Sequence, residues 1–345
     1  MLFEDLATEL VLHVLQSCTS ISDLLNLAST CRRFHKVLAA SQRLPILFQA
    51  AEAQFGPLQD AVQLVTHNAS QPAHLLRSVP SSLALLKQIL EVGRVAKKWE
   101  DIYPVKKWKH NFEDRRLLTS SERYRLRLAI YRLWLYSNAF HNRSYPRNTR
   151  MHRHVIQERA ELLHNWNLAE LAEIEDVREV LREVLQNHIC PSNGTIQRKF
   201  RKRFPETDQQ LLFNIHLNYP PPPSAFQTHF HTTHQFTAAN KFVTKYQPTA
   251  YHEPGAEGWG DEIPHYYVVE DMLKLNPGQI IWLRENAPLK GMVEAFVRGL
   301  GEWFENNGET FGQTLDWVIV ERGGNVGELR DSIQERDVGV ARDDD

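Results

Sequence analysis

LFEDLATELVLHVLQSCTSISDLLNLASTCRRFHKVLAAS, residues 2–41, decides how the front of this chain is read. Its apolar residues recur at helical spacing and break into three short helical pieces. Thr8 and Glu9 open the first, with Leu10, Val14 and Leu15 on one face. Ser22 is placed to cap the second, in which Leu24, Leu25, Leu27 and Ala28 are apolar. Ser29 or Thr30 is placed to cap the third. That helix sets Cys31, Phe34, Val37 and Leu38 against Arg32, Arg33, His35 and Lys36. Helices this short bury little surface, and folded units below about 40 residues usually need outside support. The expectation is a module completed by a partner or by the rest of the chain.

The order of residue types along this stretch is specific. Leu6-Ala7-Thr8-Glu9-Leu10 fills a Leu-Pro-x-Glu-aliphatic frame, with Ala7 where proline is usual. Val14 and Leu15 supply an aliphatic pair, and Asp23, Leu24 and Leu27 an Asp-Leu-x-x-Leu block. Cys31-Arg32-Arg33-Phe34 closes it as Cys-Arg-x-aromatic, Phe34 standing where tryptophan is commoner. Together these features resemble an F-box. The resemblance implies a helical module over residues 1–48 that docks on a Skp-type adaptor and, through it, a cullin. Its contact residues are drawn from Leu6, Glu9, Leu10, Val14, Leu15, Leu24, Leu27, Cys31 and Phe34, some of them serving the module's own core. It also implies an intracellular, non-catalytic subunit of a ubiquitin ligase, without cofactor, that brings an unknown target protein to the complex. Action with the adaptor outside any ligase is the first alternative.

Composition sets wider bounds. A chain of 345 residues has room for a small module plus one sizeable domain. Its hydrophobic content of 42% and charged content of 24% are those of a globular protein. A net charge of −2 provides no global field for nucleic acid or membrane. Three scattered cysteines suit a reducing compartment, and Glu4 and Asp5 lie where a secretory signal needs apolar residues. A cytoplasmic or nuclear location is expected. No apolar run is long enough to span a bilayer.

Beyond the module, residues 49–80 read as a connector with some helix, and residues 81–320 as a helical target-binding domain. Ser81 is placed to cap a helix carrying Leu83, Leu86, Ile89 and Leu90. The strongest pattern runs from Ser121 to Phe140, where Tyr124, Leu128, Tyr131 and Leu135 form one stripe and Leu126, Ile130 and Leu133 a second. Arg123, Arg125, Arg127 and Arg132 are expected at its rim, and the apolar stripes favour a core role over a phosphate grip. A further helix is expected over 167–188. The basic run 198–204 reads as a solvated helix face, and Pro220 to Pro223 break the domain with polyproline II. Helices return over 267–275 and from Pro288 to Trp303, while Trp317 to Val320 is ambiguous between strand and helix. Residues 321–345 read as a charged, disordered tail. The fold class expected is therefore mainly α, with β structure at most minor.

Chemistry-bearing motifs are sparse. His229, His231 and His234, with His216, His252 and His265 nearby, offer a pattern for zinc and a second alternative, a zinc-dependent hydrolase. Thr233 stands where the metallo-β-lactamase signature needs aspartate, and with 16 histidines in the chain loop residues without metal are favoured. No nucleophile elbow, phosphate loop or dinucleotide fingerprint is present, and Gly323 to Gly327 reads as a turn. Cys18 and Cys31 read as inert packing residues.

Overall fold

The computed structural model describes residues 6–40, 43–111, 113–191, 265–288 and 290–342. The basic run 198–204, the proline run 220–223 and His216, His229, His231, His234 and His252 lie outside the described residues. The described chain is mainly α-helical and holds no strand. The helices of its first part are α1 (Thr8–Gln16), α2 (Ile21–Thr30), α3 (Arg32–Ala39), α4 (Arg43–Phe55), α5 (Leu58–Thr66), α6 (Leu83–Lys107) and α7 (Ser120–Phe140). Next come α8 (Arg153–His164), α9 (Leu168–Val184) and a π-helical turn (Leu185–Ile189). The last are α10 (His265–Met272), α11 (Pro277–Asn286), α12 (Lys290–Leu300), α13 (Trp303–Asn306), α14 (Phe311–Glu321) and α15 (Val326–Glu335). Among the described residues no helix is long and apolar enough to cross a membrane.

The chain forms two compact units. The first combines Met1–Leu135, Leu168–Val177 and Leu329–Asp345; the second combines Tyr136–Asn167 and Arg178–Glu328.

In the first unit the three expected N-terminal helices are present, with different caps. Ser20, not Ser22, caps α2 by accepting from the Asp23 N–H at 3.0 Å. Cys31, rather than Ser29 or Thr30, caps α3 through its sulfur, 3.4 Å from the Phe34 nitrogen. Each helix buries one narrow row: Val11 and Leu15, then Ile21, Leu24 and Ala28, then Phe34 and Leu38. All three rows meet α4, which also packs on α6 and so runs across residue 48 into the expected connector. Apolar residues on both sides of α4 make this possible: Ile46, Leu47, Ala50, Ala51 and Phe55 are all buried. Ile21 adds a direct tie, its N–H donating to Gln54 Oε1 at 3.1 Å. The connector holds a second packed helix, α5, whose buried Leu58, Ala61 and Leu64 lie against α6.

Helix α6 starts at a Ser82 cap and continues through the lysine- and tryptophan-bearing stretch to Lys107, burying Trp99, Ile102 and Tyr103. Gly93 lets it approach α4, since a Cβ there would sit 2.6 Å from Phe55 Cδ1. The second apolar stripe of α7 is buried throughout, and the first from Leu128 to Leu135, while Tyr124 at its start is 45% exposed; Tyr131 donates to the Phe55 carbonyl at 2.8 Å. The expected disordered tail is ordered through residue 342: α15 buries Leu329 and Ile333 one turn apart, and Val340 and Ala341 are fully enclosed.

In the second unit α14, the segment left between strand and helix, packs against α8. Neither α8 nor α11 was anticipated, although α11 carries a full capping box: Asn276 and Gln279 exchange bonds of 2.9 and 3.0 Å, with Pro277 in the first turn. The helix expected through Trp303 ends at Leu300, and α13 begins after Gly301, which adopts φ +91°. In the aromatic centre Tyr136 lies tilted at 57° against Phe140, 4.9 Å between ring centres, and edge-on to Phe311 at 5.0 Å.

Gly93→Val is expected to lose about 1–3 kcal/mol of stability by overpacking against Phe55. Gly299→Ala, in a helix with open space around the added methyl, is expected to be neutral or to gain up to about 1 kcal/mol. Urea midpoints of the two variants against the wild type check both.

Candidate functional site

The N-terminal helices split their apolar residues between an inner and an outer set. Val11 and Leu15 of α1 face the body of the unit, while Leu10 and Val14, the adjacent row, stay 52% and 37% exposed. The periodicity had placed Leu10, Val14 and Leu15 together, but α1 buries the row one residue over. On α2, Leu24 is sealed and its neighbour Leu25 is 47% exposed. Adjacent helical residues point about 100° apart, so a Leu-Leu pair cannot bury both members against one neighbour. That geometry was the available signal for Leu25, which was not among the expected contacts.

Of those expected contacts, Leu15, Leu24 and Phe34 are buried and serve the module's own core. Glu9, Leu10 and Val14 are exposed, and Leu6, Leu27 and Cys31 are half-buried. The outer residues therefore run along α1, from Leu6 just before it through Glu9 and Leu10 to Val14 in its last turn, and onto α2 at Leu25 and Leu27. Leu10, Val14 and Leu25 each keep between about a third and a half of their surface exposed. Single exposed apolar residues are ordinary; Leu10 and Val14, at i and i+4, lie next to each other on α1.

The arginines of α7 do different work from a phosphate grip. Arg127 is buried rather than at the rim; it donates to the Gly56 carbonyl at 2.7 Å and pairs with Glu100 at 2.7 Å. Arg132 bridges Asp60 at 2.8 Å and Glu170 at 2.7 Å. Arg125 donates to the Val340 carbonyl at 3.0 Å. Carboxylates and carbonyls thus already occupy these guanidinium groups, and structural use wins.

The second unit holds a buried polar cluster with the residue types of a catalytic site. His141 Nδ1 lies 3.0 Å from the Lys274 carbonyl and Nε2 lies 3.3 Å from Thr310 Oγ1. The Tyr136 hydroxyl lies 3.0 Å from both Thr310 and Thr314. Arg178 reaches Glu309 at 3.3 Å, and burial, which works to raise the Glu309 carboxyl, is outweighed by Arg178, His141 and the N–H groups of Phe311 and Gly312, so it stays low. Lys274 is wholly enclosed, its ammonium donating to the Phe304 and Asn307 carbonyls and lying 3.9 Å from the Phe304 ring centre. His141, Lys274 and Thr314 are all sealed from solvent and hydrogen-bonded to neighbouring segments, which is the arrangement of a polar network that ties helices together. Among the described residues no group of three His, Cys, Asp or Glu side chains is placed to hold a metal. Cys18, Cys31 and Cys190 are free thiols, and burial pushes the Cys18 thiol up, away from a reactive thiolate.

Burial pushes the His141 imidazole down to about 4, although Glu309 pulls the other way. The unfolded chain binds this proton near 6.5 and the folded chain does not, so stability falls as pH drops from 6.5 towards 4, on the order of 3 kcal/mol in all. His141→Asn is expected to flatten that slope, whatever it does to stability at neutral pH, as read from urea midpoints at pH 7, 5 and 4.

With this geometry in hand, comparison with family models, curated proteins and solved structures finds no match to the chain.

Proposed function

We propose that the chain is a non-catalytic recruiting subunit that docks through its N-terminal helices on a Skp-type adaptor and brings a target protein to a cullin-based ubiquitin ligase. The observation that supports this reading is the outer apolar surface of α1 and α2. Leu10 and Val14 lie one turn apart with Leu25 also exposed, on a stretch whose residue order resembles an F-box. Apolar helix faces of this kind are what a partner helix or groove covers. Helices α1–α3 lean on α4 for their own burial, which leaves the outer residues without a structural task. A subunit of this class accelerates transfer by proximity alone, converting a bimolecular encounter into an intramolecular one.

Charged side chains at Leu10 and Leu25 test the reading without disturbing the core, because both positions are already solvent-exposed. The double variant Leu10→Asp, Leu25→Asp is expected to keep its thermal midpoint and lose at least about tenfold in adaptor affinity, or roughly 1.4 kcal/mol. Undiminished adaptor co-purification by the folded variant would sink the proposal. Recovery of a cullin with the wild-type chain separates action within a ligase from action with the adaptor alone.

A further inference from the structure

Helix α15 completes itself before the chain runs on. The Asp337 and Val338 N–H groups both return to the Ser332 carbonyl, at 3.0 and 3.3 Å, with Arg336 at φ 69°. Residues 339–342 are therefore not needed to finish the helix. They form a strap without helical structure, laid across side chains that other helices of the same unit provide.

The contacts made to this strap have the form of peptide recognition. Main-chain groups of one residue are held on both sides: Val340 N–H donates to Asp176 Oδ2 at 3.0 Å, and its carbonyl accepts from Arg125 Nε at 3.0 Å. Tyr103 hydrogen-bonds the Ala341 backbone. Val340 and Ala341 are fully enclosed. Arg342 is read by Glu173 at 3.1 Å while its side chain stays 31% exposed. Gly339 sits at φ +114°, and a Cβ there would lie 2.7 Å from Asp176 Oδ2, so glycine alone is admitted. The seat also has partners of its own when the strap is away. Asp176 takes bonds from Tyr103 at 2.5 Å and Lys107 at 2.7 Å, which hold its carboxylate in place independently of Val340.

We propose that this seat is a peptide-binding groove, filled here by the chain's own strap, and that a partner protein presenting an extended Gly-small-Ala-Arg segment competes for it. Backbone clamped on both edges, enclosed seats for Val340 and Ala341 and an acidic end for arginine define the ligand class. The strap then acts as an internal competitor, lowering the apparent affinity for the partner in proportion to the fraction of time it stays seated. The groove uses residues apart from α1 and α2, so this inference stands whether or not the N-terminal helices bind an adaptor.

The test uses the full chain and a fluorescent, amide-capped peptide with the sequence of residues 337–342. Gly339→Val in the chain removes the strap from its seat, and this variant is expected to bind the peptide at least about tenfold more tightly than the wild type. The same substitution made in the peptide is expected to abolish binding. Arg342→Glu in the chain loosens the strap at its exposed end and is expected to give intermediate affinity, which keeps the test in force if the glycine variant does not fold. Folded variants that bind no peptide, or bind a scrambled one equally well, overturn the proposal. So does concentration-dependent dimerisation by exchanged straps without peptide binding.

Discussion

Short helices with a single apolar row cannot hold one another unless something supplies a second wall, and in the first unit that wall is α4. It has buried side chains on two sides, with Ala50 and Ala51 small enough for close approach, so it takes α1–α3 on one side and α6 on the other. Gly93 and Phe55 set how near α6 comes. Because the inner rows are satisfied in this way, the outer row of α1 is released from any folding role. The functional reading of Leu10 and Val14 depends on that division of labour.

Charge is handled in the same spirit, by pairing inside each unit. In the first, Arg127 meets Glu100, Arg132 meets Asp60 and Glu170, and Lys107 meets Asp176. In the second, Arg178 and Arg182 share Glu270, and Arg178 also reaches Glu309. Buried pairs of this sort add little net stability, since desolvation offsets their attraction, but losing one partner leaves a costly bare charge.

Much of the fold was legible along the chain because helical periodicity is local. The double stripe of residues 121–140, the three N-terminal pieces and the mainly α class all follow from spacing that no distant contact changes. The misses share a cause too. Ser20 rather than Ser22 caps α2, and Cys31 caps α3, because a cap is chosen by where the preceding chain is extended, which spacing leaves open by a residue or two. The segment 321–342 is polar on average, yet Leu329, Ile333, Val340 and Ala341 are enough to anchor it once other helices provide seats. Average polarity described its solvent side and hid its inner one.

The candidate site divides along the same line. Residue order alone pointed to three short apolar-periodic helices, because residue type and spacing are properties of the chain itself. Which of two adjacent rows faces outward was decided by the packing of α1 on α2, α3 and α4, which buries Val11 and Leu15 and leaves Leu10 and Val14 outside. The groove under Gly339–Arg342 was invisible for a stronger reason: Tyr103, Arg125, Glu173 and Asp176 come from three helices far apart in the chain. Periodicity reports neighbours within a turn or two, and only folding brings such distant residues to one place.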